Sequence, residues 1–270
     1  MTFKQKLRNW LWLTYANSFL IPKTGRTNNT VGTNNQSTRD SWLKDTLSKI
    51  PAGSRILDAG AGELKYKDLC SHLRYVSQDF AQYDGKGDGQ GLQTGKWDQA
   101  KLDIVSDITK IPQADASFDA VMCIEVLEHV PYPVEALREL TRLIKPGGYL
   151  ILTAPFCSLT HFAPYFYQTG YSRYFYEYWL EKYNFEIIEL QHNGNYFEYL
   201  AQEIRRLPRV SNEYAKMQID AKGKFVIDQM LGMLDELSRK DESSKEILCF
   251  GMHLFAEKRS QSLQSQPVVH

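Results

Sequence analysis

The chain has 270 residues, 43% of them apolar, enough for one large α/β domain with appended pieces and short of two full-sized domains. Its 32 basic and 32 acidic residues cancel, so no overall positive field draws it to nucleic acid, and no nucleic-acid partner is expected. Cys70, Cys123, Cys157 and Cys249 form no C-x-x-C pair and suit neither a zinc knuckle nor a disulfide scaffold; reduced thiols in a cytoplasmic protein are the simpler reading.

Residues 3 to 20 read as an amphipathic helix, with Phe3, Leu7, Trp10, Leu11 and Tyr15 at helical spacing and Lys4 and Arg8 elsewhere on its circumference. Thr14, Asn17 and Ser18 interrupt its apolar run, which argues against a signal peptide. No run approaches the ~20 residues of a membrane span. Two roles compete for this helix. Basic residues with tryptophan suit peripheral contact with a membrane surface. The alternative is a lid folded back over the body, and with so few basic residues before Trp10 the lid is preferred. A polar stretch from Thr24 to Asp40 reads as a linker, and helical character returns over Ser41 to Lys49 until Pro51-Ala52-Gly53 stops it. Residues 1–50 are thus an N-terminal helical extension and linker.

Strands and helices then alternate, the pattern of a parallel sheet covered on both faces. Strands are expected at Arg55 to Asp58, Tyr75 to Gln78, Leu102 to Val105, Phe118 to Ile124, Tyr149 to Thr153, Phe185 to Leu190 and Ile247 to Ala256, the last antiparallel. Helices are expected over Glu63 to Leu73, from Pro133 to Ile144, and over Tyr174 to Tyr183. Pro133 suits a first helical turn, and Lys145-Pro146-Gly147-Gly148 ends that helix. The fold class is therefore α/β and Rossmann-like, with a seven-stranded, mostly parallel sheet. It occupies residues 51–258, with a helical insertion at about 196–240, and a polar tail covers 259–270.

Asp58-Ala59-Gly60-Ala61-Gly62-Glu63 follows the first strand, at the carboxyl edge where open α/β sheets bind ligands. Gly60 and Gly62 let the backbone approach a ligand closely. Taken alone, such a turn can simply close a βα unit. A dinucleotide fingerprint would need G-x-G-x-x-G. Here the register is Asp-x-Gly-x-Gly, and an anionic pyrophosphate would be repelled by Asp58 and Glu63. A ligand bearing a sulfonium and an ammonium group would be attracted.

This turn resembles the first motif of class I methyltransferases that use S-adenosyl-L-methionine (SAM), and the chain is similar to their type 11 family. Two more stretches carry the resemblance: Ser117 to Val130, containing Phe118-Asp119-Ala120-Val121 and Glu125-Val126-Leu127-Glu128-His129, and Leu143-Ile144-Lys145-Pro146-Gly147-Gly148. It covers roughly residues 54 to 155. It implies SAM as the cofactor, with Asp58, Ala59, Gly60, Ala61 and Gly62 at its methionine part. Asp79 would hold the ribose hydroxyls, Asp107 and Ile108 the adenine, and Glu125 the cofactor from the exit of the fourth strand. Many members carry a glycine where this chain has Leu64, so the start of the following helix is expected to differ.

Methyl transfer mostly requires alignment, with a base where the acceptor is a hydroxyl. His129 and His161 are the catalytic candidates. Glu125, Glu128 and His129 share one face if their segment is helical and could ligate a divalent metal; the reading preferred here makes them hydrogen-bond fixtures of the loop. His161 lies after the fifth strand among Tyr165, Tyr167, Tyr171, Tyr174 and Tyr176, a cluster able to stack on ring or sugar acceptors or simply to fill a core. The loop with Gly85, Gly87, Gly89, Gly91 and Gly95 reads as a lid or as a surface insertion. The expected function is methylation of a small-molecule or glycan-linked acceptor, at a hydroxyl. An NAD(P)-dependent oxidoreductase and a non-catalytic SAM-binding module are the alternatives.

Overall fold

The computed structural model describes residues 30–98 and 101–260; the expected N-terminal helix lies outside them, as does most of the polar tail. The described residues form two units, one comprising 36–193 and 249–260, the other 194–248 with residues 30–35.

The first unit is built on a single sheet of order β3-β2-β1-β4-β5-β7-β6. Its strands are β1 (Arg55–Ala59), β2 (Arg74–Asp79), β3 (Ile104–Val105), β4 (Phe118–Ile124), β5 (Ile144–Pro155), β6 (Phe185–Asn193) and β7 (Gly251–Lys258). β7 runs antiparallel between β5 and β6, and the other pairs are parallel. The expected seven-stranded, mostly parallel sheet is present. β4 is central and almost wholly buried, as its apolar sequence requires.

Both faces of the sheet are covered. On one, Phe118, Val121 and Leu152 pack with Leu137, Leu140 and Leu143 of α2 (Pro133–Leu143) and with Tyr176 and Leu180 of α3 (Arg173–Lys182). On the other, Trp42, Leu43 and Leu47 of α1 (Asn35–Leu47) pack against Ile56, Met122 and Ile151. Trp42 stacks on His253 at 4.8 Å and donates to the Glu189 carboxylate at 2.8 Å. α1 begins at Asn35, six residues earlier than the sequence suggests, so the end of the supposed linker is its first turns. Trp42, Leu43 and Leu47 supply its buried side; propensity alone cannot reveal such tertiary anchoring.

Three other elements differ from expectation. Glu63 to Leu73 is not a helix: turns lead to a short 3₁₀ segment, Lys67–Cys70. Leu64 adopts φ +60°, incompatible with continuing a right-handed helix. β5 begins at Ile144, because Lys145-Pro146-Gly147-Gly148 form an irregularity inside the β4–β5 pairing. β7 starts at Gly251, while Ser244–Glu246 make a 3₁₀ turn and Ile247 is exposed.

In the second unit, α4 (Tyr196–Tyr214) and α5 (Ala221–Arg239) fill the predicted helical stretch as two helices. Asn195 caps α4 by accepting from Phe197 and Glu198 N–H. Val31, Ala201, Leu231 and Leu234 form its small core.

Candidate cofactor and acceptor site

Within the first unit, the loops after β1, β2, β3 and β4 open on one cavity of about 650 Å³. It is lined by Asp58, Gly60, Ala61, Gly62, Asp79, Asp107, Ile108 and Glu125 among others. Eight of the nine residues expected to hold the cofactor thus meet. The ninth, Ala59, is fully buried in the core and does not face the cavity.

The turn after β1 is held by β2. Gly60 and Ala61 N–H both donate to the Gln78 carbonyl at 2.8 Å, and Gly62 N–H donates to Asp79 Oδ2 at 3.0 Å. Gly60 and Gly62 have φ +81° and +49°. A Cβ on Gly60 would sit 2.4 Å from Val126, and one on Gly62 would sit 2.7 Å from Trp97, so a side chain at either position would strain the backbone and displace its neighbour. Leu64 takes the left-handed conformation despite its Cβ.

Asp58 is buried beneath this turn and accepts from the Tyr75 hydroxyl at 2.6 Å. Desolvation, opposed by that hydrogen bond, raises its pKa from 3.8 to about 7. Asp79 Oδ1 accepts from Ala81 N–H at 2.8 Å, so its carboxylate braces the loop as well as facing the cavity. Asp107 is held by Thr109, whose N–H and hydroxyl both donate to Oδ1 at 2.8 Å. Ile108 offers an apolar wall, 8% exposed.

At the other side of the cavity, Glu125 has φ +55° and leaves the line of the 3₁₀ turn Leu127–His129. It pairs with Arg39 Nη1 of α1 at 2.9 Å and accepts from the Thr153 hydroxyl at 2.8 Å. The shared face expected for Glu125, Glu128 and His129 therefore does not form. Instead Glu128 and His129 meet His161, with their nearest ligand-type atoms all within 4.8 Å. His129 lines the cavity, whereas His161 lies behind it, ring to ring at 4.7 Å. Burial, with His161 adding to it, lowers the His129 pKa to about 4, so its imidazole is neutral near pH 7.

The glycine-rich loop is fastened to the segment after β5. Asp88 and Leu92 N–H donate to the carbonyls of Ala163 and Thr160, and Phe162 N–H donates to Leu92 O. Tyr83 stacks on Phe162 at 4.6 Å, and Trp97 meets both rings edge-on. Sequence reasoning did not find Arg39, Gln78, Phe80, Trp97 or Phe162 at the cavity. The one available signal was position: Gln78 and Phe80 flank Asp79.

The donor set fits SAM. Acidic groups surround a glycine turn, as a ligand with sulfonium and ammonium charges requires. Turns and the short 3₁₀ segment Lys67–Cys70 follow it, in place of the α-helix N-terminus that suits a pyrophosphate. Residues 57–152 match the family described as a methyltransferase domain. That stretch of the chain is similar to a methyltransferase domain. A ubiquinone biosynthesis O-methyltransferase of Xanthomonas oryzae pv. oryzae is 35% identical over 105 residues, which are 38% of this chain and 43% of that protein. A tRNA (carboxymethyluridine(34)-5-O)-methyltransferase of Arabidopsis thaliana is 31% identical over 110 residues, 40% of this chain and 25% of that one. The chain spans under half the length of these curated relatives. Among solved structures, a SAM dependent methyltransferase from Archaeoglobus fulgidus superposes with TM-score 0.50 at 15% identity, covering 92% of this chain and 99% of that one, and shows the shared class I fold. No helix among the described residues is long and apolar enough to cross a membrane.

Proposed function

We propose that the chain is a SAM-dependent methyltransferase that methylates a hydroxyl of a small-molecule or glycan-linked acceptor. The observation that carries the cofactor reading is Asp58 buried beneath the Gly60–Gly62 turn, with Asp79 and Asp107 on the same cavity. SAM supplies an electrophilic methyl group when bound. The chain's own residues then have four tasks. Gly60, Ala61 and Gly62 admit the amino-acid end closely, and Asp58 sets a negative charge beneath it. Asp79 accepts from the ribose hydroxyls. Asp107 and Ile108 receive the adenine by hydrogen bonding and packing. Phe162, Tyr165 and Tyr167 line the cavity beside His129 and offer apolar faces for a ring or sugar acceptor.

Methyl-labelled SAM offered with three acceptor panels tests this reading: phenols and catechols, sugars and glycolipid headgroups, and tRNA. Label is expected in the first or second panel, on oxygen. Label confined to tRNA would move the acceptor class to nucleic acid, and label in none with intact SAM binding would favour a binding module.

A further inference from the structure

We propose that residues 3–15 dock as a third helix on an exposed apolar line of α5, in the unit that α4 and α5 build. Val226, Met230, Met233 and Leu237 follow one another at steps of four, three and four, so they stand in one line along the helix. They are 54%, 40%, 46% and 38% exposed. The next line around, Ile227, Leu231 and Leu234, packs into the small core of the unit. Lys224, Asp228, Asp235 and Arg239 occupy the opposite side. Apolar side chains thus cover roughly 160° of the circumference, far more than the described core uses. α5 already has a polar face for solvent, and an apolar line beside a packed core marks a contact surface.

The occupant follows from where the described chain starts. Val31 is buried and packs with Ala201, Leu231 and Leu234. Arg205 Nε donates to the Val31 carbonyl at 2.7 Å, and Gly32 N–H donates to the Glu198 carboxylate. A Cβ on Gly32 would sit 2.3 Å from the Gln202 nitrogen, so the chain is pressed against α4 at this point. The segment before Val31 is therefore fastened one line of side chains away from Met230 and Met233.

The spacing and the reach agree. Phe3, Leu7, Trp10, Leu11 and Tyr15 repeat at the same steps of three and four. As a helix, Phe3 to Tyr15 rises ~18 Å, against ~16 Å from Val226 to Leu237. The stretch from Ile21 to Asn29 extends to roughly 30 Å, enough to bring the segment back alongside α5. A segment on so short a tether meets the face at an effective concentration in the millimolar range, which favours it over a second copy of the chain. The docked helix would complete a three-helix unit, and this holds whatever the sheet unit binds.

Met230 and Met233 report on the line by their own chemistry, because peroxide converts an accessible thioether to its sulfoxide and a covered one slowly. The untagged full-length chain is treated with dilute hydrogen peroxide, and sulfoxide at each methionine is followed by peptide mass spectrometry. Met217, 66% exposed and off the line, is the internal reference. Met230 and Met233 should oxidise at least ~10-fold more slowly than Met217, at a rate independent of protein concentration. The double change Leu7→Glu, Leu11→Glu, which alters no described residue, should bring both to within about threefold of Met217. Val226→Glu, at a position outside the two-helix core, should do the same. Comparable oxidation of all three methionines in the unaltered chain overturns the docking, as does protection that both variants leave intact. Protection that disappears on dilution gives the face to a second copy, and protection that appears only with vesicles containing phosphatidylglycerol gives it to a membrane; either result overturns the assignment to the chain's own segment.

Discussion

Asp58 shows how a single residue serves a ligand at the expense of the fold. Its carboxyl is buried against Tyr75, and desolvation lifts its pKa to about 7. Between its unfolded value near 4 and about 7 the folded chain holds a proton that the unfolded chain has released, so stability falls as pH rises through that window and levels off above it. Asp58→Asn keeps an oxygen for the Tyr75 hydroxyl and removes the charge. It should melt higher than wild type at pH 8, with the gap closing near pH 4, and should bind SAM more weakly. Thermal melts at the two pH values check this; an equal gap at both would show that Asp58 carries no raised pKa.

At the scale of elements, legibility followed burial. β4 was readable because it is a near-continuous apolar run, and it matched over Phe118–Ile124. The acidic residues after β1, β2 and β3 were readable because sheet topology places those loops on one edge. The segment after Gly62 was not: Leu64 takes a left-handed backbone angle that its side chain does not announce. Arg39 and the convergence of Glu128 on His161 were also illegible, because partners 86 and 33 residues apart meet only in the folded unit. The glycine loop, read as a lid or a surface insertion, proves tightly docked. A Cβ on Gly87 would lie 1.8 Å from the Ala163 carbonyl, while one on Gly89 would meet nothing within 4 Å, and both have positive φ. Gly87→Ala should therefore destabilise by clearly more than Gly89→Ala, which carries only the backbone cost of ~1 kcal/mol. Urea denaturation compares them, and equal losses would mean the loop is not seated on Ala163.

For the whole molecule, the sheet and the paired helices are separable in topology. Asn193 at the end of β6 pairs with Gly251 at the start of β7, and Phe250 N–H donates to Asn193 O at 2.8 Å. The chain leaves the sheet and returns to it at adjacent points, as an insertion should. All residues lining the cavity belong to the sheet unit. Replacing residues 195–248 with a short glycine-rich turn should leave a cooperatively folding protein whose SAM affinity is within about fivefold of the full chain. Loss of SAM binding in a variant that still melts cooperatively would show that the helices complete the site.

The central claim is that the cavity binds SAM through its acidic loops, and calorimetry of the full chain tests it most directly. SAM should bind at one site per chain, NAD(H) should give no heat, and Asp79→Ala should weaken SAM at least ~10-fold, since one charge-assisted hydrogen bond is worth ~1.5–3 kcal/mol. NAD(H) binding in place of SAM, or unchanged SAM affinity in Asp79→Ala, would contradict the account.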